Sequence, residues 1–167
     1  MEIRLLVGIP ASGKTTFSHS MKSLCECTGE SCEIISRDAI RKELIGEGEY
    51  FSKEKQVFNT FIKKINEAID NRIDTIIIDA THINKASRHK VLSRLTNYED
   101  YNLVIDVFLI DLERAFERNS TRKGFAYVPD PAIRNMYNSF EEPSINGEEK
   151  LSQYNFSTIE VMYHVGR

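Results

Sequence analysis

Several features are absent from this sequence, and each absence excludes a class of protein. There is no strong charge imbalance, because 22 Lys and Arg residues stand against 25 Asp and Glu residues and the net charge is −3. A protein that coats duplex nucleic acid needs a large basic face, so this composition leaves room only for a local basic pocket. No apolar run approaches the roughly 18 residues of a membrane span, and the N-terminus lacks the layout of a signal peptide. We therefore predict a cytoplasmic protein without a membrane partner.

Cysteines and linker segments are also scarce. The three cysteines, Cys25, Cys27 and Cys32, are odd in number and therefore cannot form a complete set of disulfides. A zinc site would need a fourth ligand, and His19 is not at a recognised spacing, so we favour reduced thiols. Neither an internal repeat nor a low-complexity linker divides the 167 residues. We predict a single domain over residues 1–167.

The most informative segment that is present lies near the start of the chain. Residues 8–15 have the sequence Gly-Ile-Pro-Ala-Ser-Gly-Lys-Thr and fill every fixed position of the phosphate-binding pattern G-x-x-x-x-G-K-[ST]. Residues 3–7, just before it, predict a buried strand, and residues 15–24, just after it, predict a helix. This strand, loop and helix are the context that the pattern requires.

The residue types in this loop suit a triphosphate. Gly8 and Gly13 let the backbone bend with its N–H groups inward, so that these groups and the helix N-terminus form an anion cradle. Lys14 would add a positive charge near the β- and γ-phosphates, and the hydroxyl of Thr15 would ligate Mg²⁺. We therefore predict a binding site for ATP, or another nucleoside triphosphate, with Mg²⁺. Its loop residues are Gly8, Pro10, Ala11, Ser12, Gly13, Lys14, Thr15 and Thr16.

The rest of the chain alternates between strand and helix patterns. The predicted strands are residues 3–7, 32–36, 75–79, 103–110 and 158–165. The predicted helices are residues 15–24, 39–44, 52–71, 85–95, 111–120 and 129–140, with Ser52 as a cap and residues 46–48 as a stop. This alternation predicts an α/β fold with a central parallel sheet of four to five strands flanked by helices.

Polar residues follow four of the predicted strands, at the point where each strand ends. Ligands of open α/β sheets bind outside the carboxyl ends of the strands, so we expect these residues to face one crevice. They are Lys14 and Thr15 after the first strand, Asp38 and Arg41 after the second, residues 79–82 after the third, and Arg118 and Arg122 beyond the fourth.

Asp38 and Arg41 are three residues apart and would project together from the first turn of a helix. A carboxylate beside an arginine suits a general base that takes a hydroxyl proton while the cation holds an acceptor phosphate. The alternative is a helix-capping aspartate with a surface salt bridge. The phosphate-binding loop upstream favours the functional interpretation.

Two further predictions concern a metal ion and a lid. Asp79 ends an apolar strand, which is the Walker B layout for a carboxylate that helps to hold Mg²⁺, although an aspartate in this place can also simply begin a turn. Arg118 and Arg122 are four residues apart and precede a turn that contains Gly124. We interpret them as part of a mobile lid that closes over the transferring phosphate, and the alternative is a pair of solvated charges.

Four parts of the sequence resemble the 5′-kinase domain of bacteriophage polynucleotide kinases. They are residues 8–16, residues 36–41, residues 79–84, and residues 118–124 with the pairs Val128-Pro129 and Met136-Tyr137. The first part is shared by all P-loop kinases, whereas the Arg-Asn-Ser-x-Arg segment and the pairs that follow it are more specific. The resemblance implies a P-loop kinase fold with a helical lid.

The resemblance also implies an activity, namely transfer of the γ-phosphate of ATP to 5′-hydroxyl ends of DNA or RNA that are accessible as single strands. On the donor side, Lys14 and Thr15 would contact the phosphates and Mg²⁺. Arg122 would be the lid arginine that stabilises the transition state, with Arg118 beside it on the nucleotide.

On the acceptor side, the resemblance implies that Asp38 is the general base toward the 5′-hydroxyl. Arg41 and Thr81 would hold the 3′-phosphate of the acceptor, and His82 belongs to the same group of substrate-binding residues. The phage enzyme also carries a 3′-phosphatase domain with a D-x-D-x-T motif, which this sequence lacks. We therefore expect a stand-alone kinase.

Two other classes of function stay open at this point. One keeps the chemistry and changes the acceptor to a nucleoside, another small hydroxyl compound, an aminoacyl-tRNA or a modified base within DNA. The other is a nucleotide-dependent switch or binding module without phosphoryl transfer, which would not need a carboxylate base at Asp38. An arginine for an acceptor phosphate, such as Arg41, is useful with a nucleotide and idle with an uncharged substrate.

Overall fold

The computed structural model describes residues 1–46 and 52–166, in which strands and helices alternate. The strands are β1 (Glu2–Val7), β2 (Cys32–Ser36), β3 (Thr75–Asp79), β4 (Asn102–Leu109) and β5 (Ile159–Val165). The helices are α1 (Lys14–Thr28), α2 (Arg37–Ile45), α3 (Glu54–Asp70), α4 (Lys85–Leu92), α5 (Leu112–Ser120) and α6 (Asp130–Asn138). Short 3₁₀ turns at Gly124–Ala126 and Leu151–Gln153 follow α5 and precede β5.

The five strands form one parallel sheet in the order β2-β3-β1-β4-β5. The inner strands β1 and β3 are almost wholly buried, and most of their residues are apolar, as expected of a parallel sheet that helices cover on both faces. All carboxyl ends lie at the same edge, where β1 stands between β3 and β4. The loop after β1 is therefore flanked by the segments that follow β3 and β4. The predicted parallel sheet is confirmed, with five strands.

Helices cover both faces of this sheet. One face packs against α3 and α4 in the main core, to which α3 contributes Phe61 and Ile65. On the other face, Leu6 and Phe108 pack against Phe17 of α1. The two helices that follow β4, α5 and α6, pack in a separate, smaller apolar cluster.

This smaller cluster joins α5 and α6 to the ligand-binding edge of the sheet. Its buried members are Ile9, Ile83, Ile110, Ala115 and Ile133. Ile9 belongs to the loop after β1 and Ile83 follows β3, whereas Ala115 and Ile133 come from α5 and α6. The cluster therefore anchors the pair of helices that carries the predicted lid next to the phosphate-binding loop.

Most predicted elements agree with the structure to within a few residues; β1, β4 and β5 differ by one residue at their ends, and the larger differences lie at helix ends. Helix α1 runs on to Thr28, because Gly29 adopts a left-handed φ of 75° and ends it there. Helix α4 is shorter than predicted and ends at Leu92.

The start of α3 also differs from the prediction. The helix begins at Glu54 with Lys53 in the capping position and no side-chain capping bond, so the predicted Ser52 cap is wrong. The predicted stop of α2 is confirmed at Gly46, which follows the last helical residue. The remainder of that predicted stop, residues 47–48, lies outside the described residues.

The described residues include every helix given above and all three cysteines. Across residues 1–46 and 52–166, no helix combines the length and the apolar character needed to cross a membrane. The three cysteines are free thiols, of which Cys25 is buried, Cys32 is half-buried and Cys27 is exposed.

Candidate functional site

The loop after β1 needs its two glycines for different reasons. A Cβ atom at Gly8 would lie 2.8 Å from Ser12 Oγ and 3.0 Å from the Phe108 carbonyl oxygen, so the loop passes β4 too closely for a side chain. Gly13 adopts φ 107°, a left-handed conformation that glycine tolerates, and it directly precedes α1. The first N–H groups of α1 have no intrahelical acceptor and no acidic residue beside them in the first turn, which suits an anion.

Lys14 is folded back onto this loop. Its Nζ donates to the carbonyl oxygens of Gly8 and Ile9, at 2.8 Å each, and lies 3.4 Å from Ser12 Oγ. The residue is only 8% exposed. Burial lowers the pKa of Lys14 to about 8, against the opposing charge of Asp79. A bound phosphate would exchange these neutral acceptors for charged oxygens and favour the ammonium form.

Asp79 and Thr15 supply oxygen ligands of the kind that Mg²⁺ prefers. Asp79 ends β3 half-buried, and burial raises the pKa of its carboxyl group even though Lys14 acts against this shift. A divalent cation would restore the ionised form, so the donor set fits the predicted metal. Thr15 is exposed in the first turn of α1. The described residues contain no cluster of three or more His, Cys, Asp or Glu that could hold a metal alone, so nucleotide phosphates and water would complete the coordination.

Asp38 and Arg41 lie together at the start of α2, as the sequence predicts. The Ser36 side chain caps this helix by accepting from the Ala39 N–H. The Asp38 side chain is 82% exposed and accepts a hydrogen bond from Arg41, whose own side chain is buried. Asp38 is thus presented to solvent at the edge of the crevice, and its charge also acts on Lys14 and Asp79.

Glu54 is a member of this site that sequence reasoning missed. Arg41 Nε donates to Glu54 Oε1 at 2.6 Å, and Arg37 Nη2 donates to Glu54 Oε2 at 2.8 Å. Burial alone would raise the pKa of Glu54, but the hydrogen bond and charge of Arg41, together with Arg37, lower it. The available signal was charge balance, because two arginines and one aspartate at the start of α2 call for a carboxylate from elsewhere.

The segment after β3 has one face toward the loop and one toward the core. The Thr81 carbonyl oxygen accepts from the Gly8 N–H at 2.9 Å, which ties this segment to the phosphate-binding loop. His82 has φ 43° and is 4% exposed. Its Nδ1 lies 3.0 Å from the Leu6 carbonyl oxygen and therefore carries the proton, and its ring stacks on Phe61.

Burial also lowers the pKa of His82 to about 4, so its ring is neutral at physiological pH. The sequence places His82 among the substrate-binding residues because it belongs to the segment that follows the third predicted strand and matches part of the family resemblance. The structure instead turns the imidazole into the core, where it fastens β3 to β1. A substrate contact through His82 stays a prediction, and its position fits a structural role.

The predicted lid is a loop between α5 and α6 that Asn119 closes. Asn119 is buried, donates to the Val128 carbonyl at 2.6 Å and accepts from the Val128 N–H at 3.1 Å. Arg118 Nη1 lies 3.5 Å from the Ala11 carbonyl oxygen, and Arg122 lowers the pKa of Lys14 through its charge, in addition to the larger effect of burial. Both arginines therefore lie close to the phosphate-binding loop. Asn119 is part of the Arg-Asn-Ser-x-Arg segment, but the sequence alone assigns it no role because its partner, Val128, is nine residues away.

The crevice thus combines two kinds of charge that act on one another. The positive groups are Lys14 and Arg122, and the carboxylates are Asp38 and Asp79. A group of this kind can neutralise a polyphosphate and offers a base beside it. The individual catalytic and binding roles stay predictions.

Comparison with known proteins identifies the family and the fold of this chain. The sequence pattern of the AAA domain family AAA_33 matches residues 3–143, and the chain belongs to this family. Its fold is that of P-loop kinases, with the nucleotide-binding loop that defines them.

Two related sequences are known under kinase names. An L-seryl-tRNA(Sec) kinase from Methanococcus maripaludis is 29% identical over 83% of this chain and 52% of its own length. A protein of Autographa californica nuclear polyhedrosis virus, named for a proposed bifunctional polynucleotide kinase/RNA ligase activity, is 24% identical over 83% of this chain and 21% of its own length. The chain therefore spans about half of the first relative and about a fifth of the second.

Solved structures share the fold at low sequence identity. Kti12 from Chaetomium thermophilum, determined in complex with ADP-AlF3, has a TM-score of 0.61 and 16% identity over 96% of this chain and 88% of that chain. A sugar kinase from Janibacter sp. has a TM-score of 0.60 and 16% identity over 98% of this chain and 85% of that chain.

Proposed function

We propose that this chain is an ATP-dependent kinase that transfers the γ-phosphate to the 5′-hydroxyl of a DNA or RNA end presented as a single strand. The observation that carries the proposal is the pair at the start of α2. An exposed carboxylate, Asp38, stands beside a buried arginine, Arg41, and its charge reaches the lysine of the phosphate-binding loop. A base next to a phosphate-holding cation is what a nucleotide acceptor requires.

In this mechanism most of the catalysis is positioning and electrostatic stabilisation. Lys14 and Arg122 offset the negative charge of the donor phosphates. Asp38 accepts the proton of the attacking hydroxyl, whose oxygen forms the new bond to the γ-phosphorus. The bond between that phosphorus and the bridging oxygen breaks, and ADP leaves with the electron pair. Mg²⁺, held through Thr15 and Asp79, would neutralise the β- and γ-phosphates when bound.

One specific observation favours a second acceptor class. The relative that is 29% identical to this chain is named as a kinase of L-seryl-tRNA(Sec), and the viral relative is named for a proposed polynucleotide kinase activity. Both names join a kinase to a nucleic acid, and they differ in the hydroxyl that receives the phosphate. An aminoacyl-tRNA is therefore the alternative acceptor, ahead of a free nucleoside or another small molecule.

The test follows labelled γ-phosphate from ATP to four acceptors: a 5′-hydroxyl oligonucleotide, a 3′-mononucleotide, the matching nucleoside and seryl-tRNA. Asp38→Asn keeps the shape of the side chain but removes the base, so transfer to every acceptor should collapse. Arg41→Ala should slow transfer to the 3′-mononucleotide by about 10- to 100-fold, as expected for lost charge-assisted hydrogen bonds. It should spare the nucleoside, which has no phosphate to hold.

Arg37→Ala is the matched control for Arg41→Ala, because both variants remove a guanidinium bound to Glu54, and the Arg41 guanidinium also donates to Asp38. If Arg41→Ala harms both acceptors equally, Arg41 holds no acceptor phosphate. A wild-type preference for seryl-tRNA would replace the polynucleotide acceptor with the aminoacyl-tRNA, and a preference for the bare nucleoside would replace it with a small molecule.

A further inference from the structure

Arg88 of α4 is a charged residue with no place in the site described above, and it is completely buried at 0% exposure. Its Nε donates to Glu149 Oε1 at 2.7 Å and its Nη2 donates to Glu149 Oε2 at 2.9 Å, so the pair is bidentate. Two further bonds reach backbone carbonyls, from Nη1 to His82 and from Nη2 to Glu141, at 2.9 Å each. A guanidinium that is buried this deeply is tolerated only with such complete pairing.

The bond to His82 fixes the segment that follows β3. His82 has a left-handed φ of 43°, which is unfavourable for a residue with a side chain and persists only when its surroundings hold it. The Leu6 carbonyl holds its ring, and Arg88 holds its carbonyl oxygen. The neighbouring Thr81 carbonyl accepts from the Gly8 N–H of the phosphate-binding loop. Arg88 is therefore bonded directly to the backbone of the segment that faces the phosphate-binding loop.

The other bonds of Arg88 fix residues 141–149, which follow α6, the helix after the predicted lid loop, and which we call the base of the lid. Glu141 lies three residues beyond the end of α6, and its N–H donates to the Ile83 carbonyl at 2.8 Å. Its Oε2 accepts from the Lys85 N–H at 2.7 Å. Glu149 also accepts from the Ser144 N–H at 3.2 Å, so the carboxylate that pairs with Arg88 shapes the same stretch. One guanidinium thus joins the segment after β3 to the base of the lid.

We infer that Arg88 is a positioning residue for phosphoryl transfer, which holds residues 79–83 and the base of the lid in one fixed arrangement around the phosphate-binding loop. It touches neither donor nor acceptor and acts through the backbone of His82 and Glu141. The inference rests on the proposed phosphoryl transfer and is independent of which acceptor is used.

A second buried ion pair provides a matched control. Arg4 of β1 donates to Asp106 of β4 from Nε at 2.9 Å and from Nη2 at 2.8 Å, and Asp106 is 0% exposed. Both pairs are bidentate and similarly buried, although Arg4 also donates to Glu2 at 3.0 Å and Asp106 also lies 2.7 Å from His164 Nε2. The Arg4 pair lies within the sheet, whereas the Arg88 pair bonds directly to the segment after β3. Breaking either pair strands a buried charge and should destabilise the fold.

The experiment compares Arg88→Lys and Glu149→Gln with Arg4→Lys and Asp106→Asn, each assayed well below its own Tm. All four variants should have a lower Tm. Arg88→Lys and Glu149→Gln should also lower kcat by at least about tenfold, since small displacements of catalytic groups have effects of this size, and raise KM for the acceptor. Arg4→Lys and Asp106→Asn should leave both kinetic constants unchanged. Equal kinetic constants in the two sets would overturn the inference.

Amide hydrogen exchange gives a second readout that needs no turnover. Arg88→Lys and Glu149→Gln should accelerate exchange in residues 79–83 and 141–149 selectively, whereas the Arg4 and Asp106 variants should not. If the wild type transfers phosphate to none of the acceptors, the proposed function fails and this exchange pattern alone decides whether Arg88 positions both segments. Uniform acceleration in all four variants would reduce Arg88 to a general stabilising role. If Arg88→Lys fails to fold, Glu149→Gln, which keeps the side-chain shape, decides between the same outcomes.

Discussion

The proposed donor side of the crevice, around Lys14, and the proposed acceptor side, around Asp38, hold their charged groups in different ways. On the donor side, Lys14 is buried and bonded to carbonyl oxygens of its own loop. On the acceptor side, the Asp38 carboxylate is largely exposed and pairs with Arg41. Arg41 in turn pairs with Glu54 of α3. The donor side is preformed by backbone geometry, whereas the acceptor side depends on side chains from two helices. Substitutions on the two sides should therefore differ in what they change.

The largest expected effect comes from the donor side. Lys14→Ala should reduce phosphoryl transfer by at least about 100-fold, because it removes a positive group placed against the donor phosphates. The Tm should change little, since the loop keeps its glycines and no apolar cavity is created. Labelled γ-phosphate transfer and thermal unfolding measure the two effects. Lys22→Ala, in the exposed part of the same helix, is the control, and retained turnover in Lys14→Ala would disprove the donor-side assignment.

The acceptor side should respond in both stability and substrate binding. Glu54→Gln removes one of the two carboxylates that pair with Arg41, and Tm should fall by about 2 to 4 °C, which corresponds to about 1 kcal/mol in a chain of this size. This value is below that of a fully buried charged pair because the Glu54 side chain is 32% exposed. KM for a 3′-phosphorylated acceptor should rise while KM for ATP stays the same.

Glu43→Gln provides the control for this substitution. Glu43 pairs with Lys64 at 3.3 Å on the exposed surface of the neighbouring helices, so losing its charge should change neither Tm nor KM. A rise in KM for ATP in Glu54→Gln would remove the proposed separation between the two sides of the crevice.

The same difference explains which parts of the site could be predicted from the sequence. The phosphate-binding loop is contiguous along the chain, and the bounds of β2 and β3 were predicted correctly. Charge balance indicates that a carboxylate is needed near α2 but does not single out Glu54, and nothing indicates Arg88, because their partners are 13 and 61 residues away.

His82 shows why adjacency along the chain is a weak guide to a site. The side chain next to Thr81 would be expected near the ligand, but the left-handed φ of His82 turns its imidazole toward Leu6 and Phe61. The sequence does not contain a signal for this turn, since left-handed residues other than glycine are uncommon. The end of β3 correctly indicated that residues 79–82 lie at the crevice. The backbone geometry of these residues then determines which of their side chains face it.

The smallest expected effect is a proton taken up when the donor binds. Burial lowers the pKa of Lys14 to about 8 from 10.5. Below pH 8 the amine is charged with or without nucleotide, whereas above it the free protein carries a neutral amine that a bound triphosphate would protonate again. Binding should therefore take up as much as about one proton above this pH and weaken as the pH rises.

The pH dependence of unfolding has the opposite sign to that of ATP binding between pH 8 and pH 10.5. The pKa assigned to Lys14 can therefore be tested. The folded pKa lies below the unfolded value, so the unfolded chain holds the proton more tightly, and this group makes the free energy of unfolding rise between pH 8 and pH 10.5. Calorimetry of ATP binding in two buffers of different ionisation heat, at about pH 7 and about pH 9, measures the proton uptake. Lys22→Ala should retain the uptake because Lys22 is an exposed amine away from the loop. Equal binding heats in both buffers at the higher pH would mean that no proton is taken up and that Lys14 is already charged. The proposed donor side would then lack a neutral buried amine, and this contrast with the acceptor side would be lost.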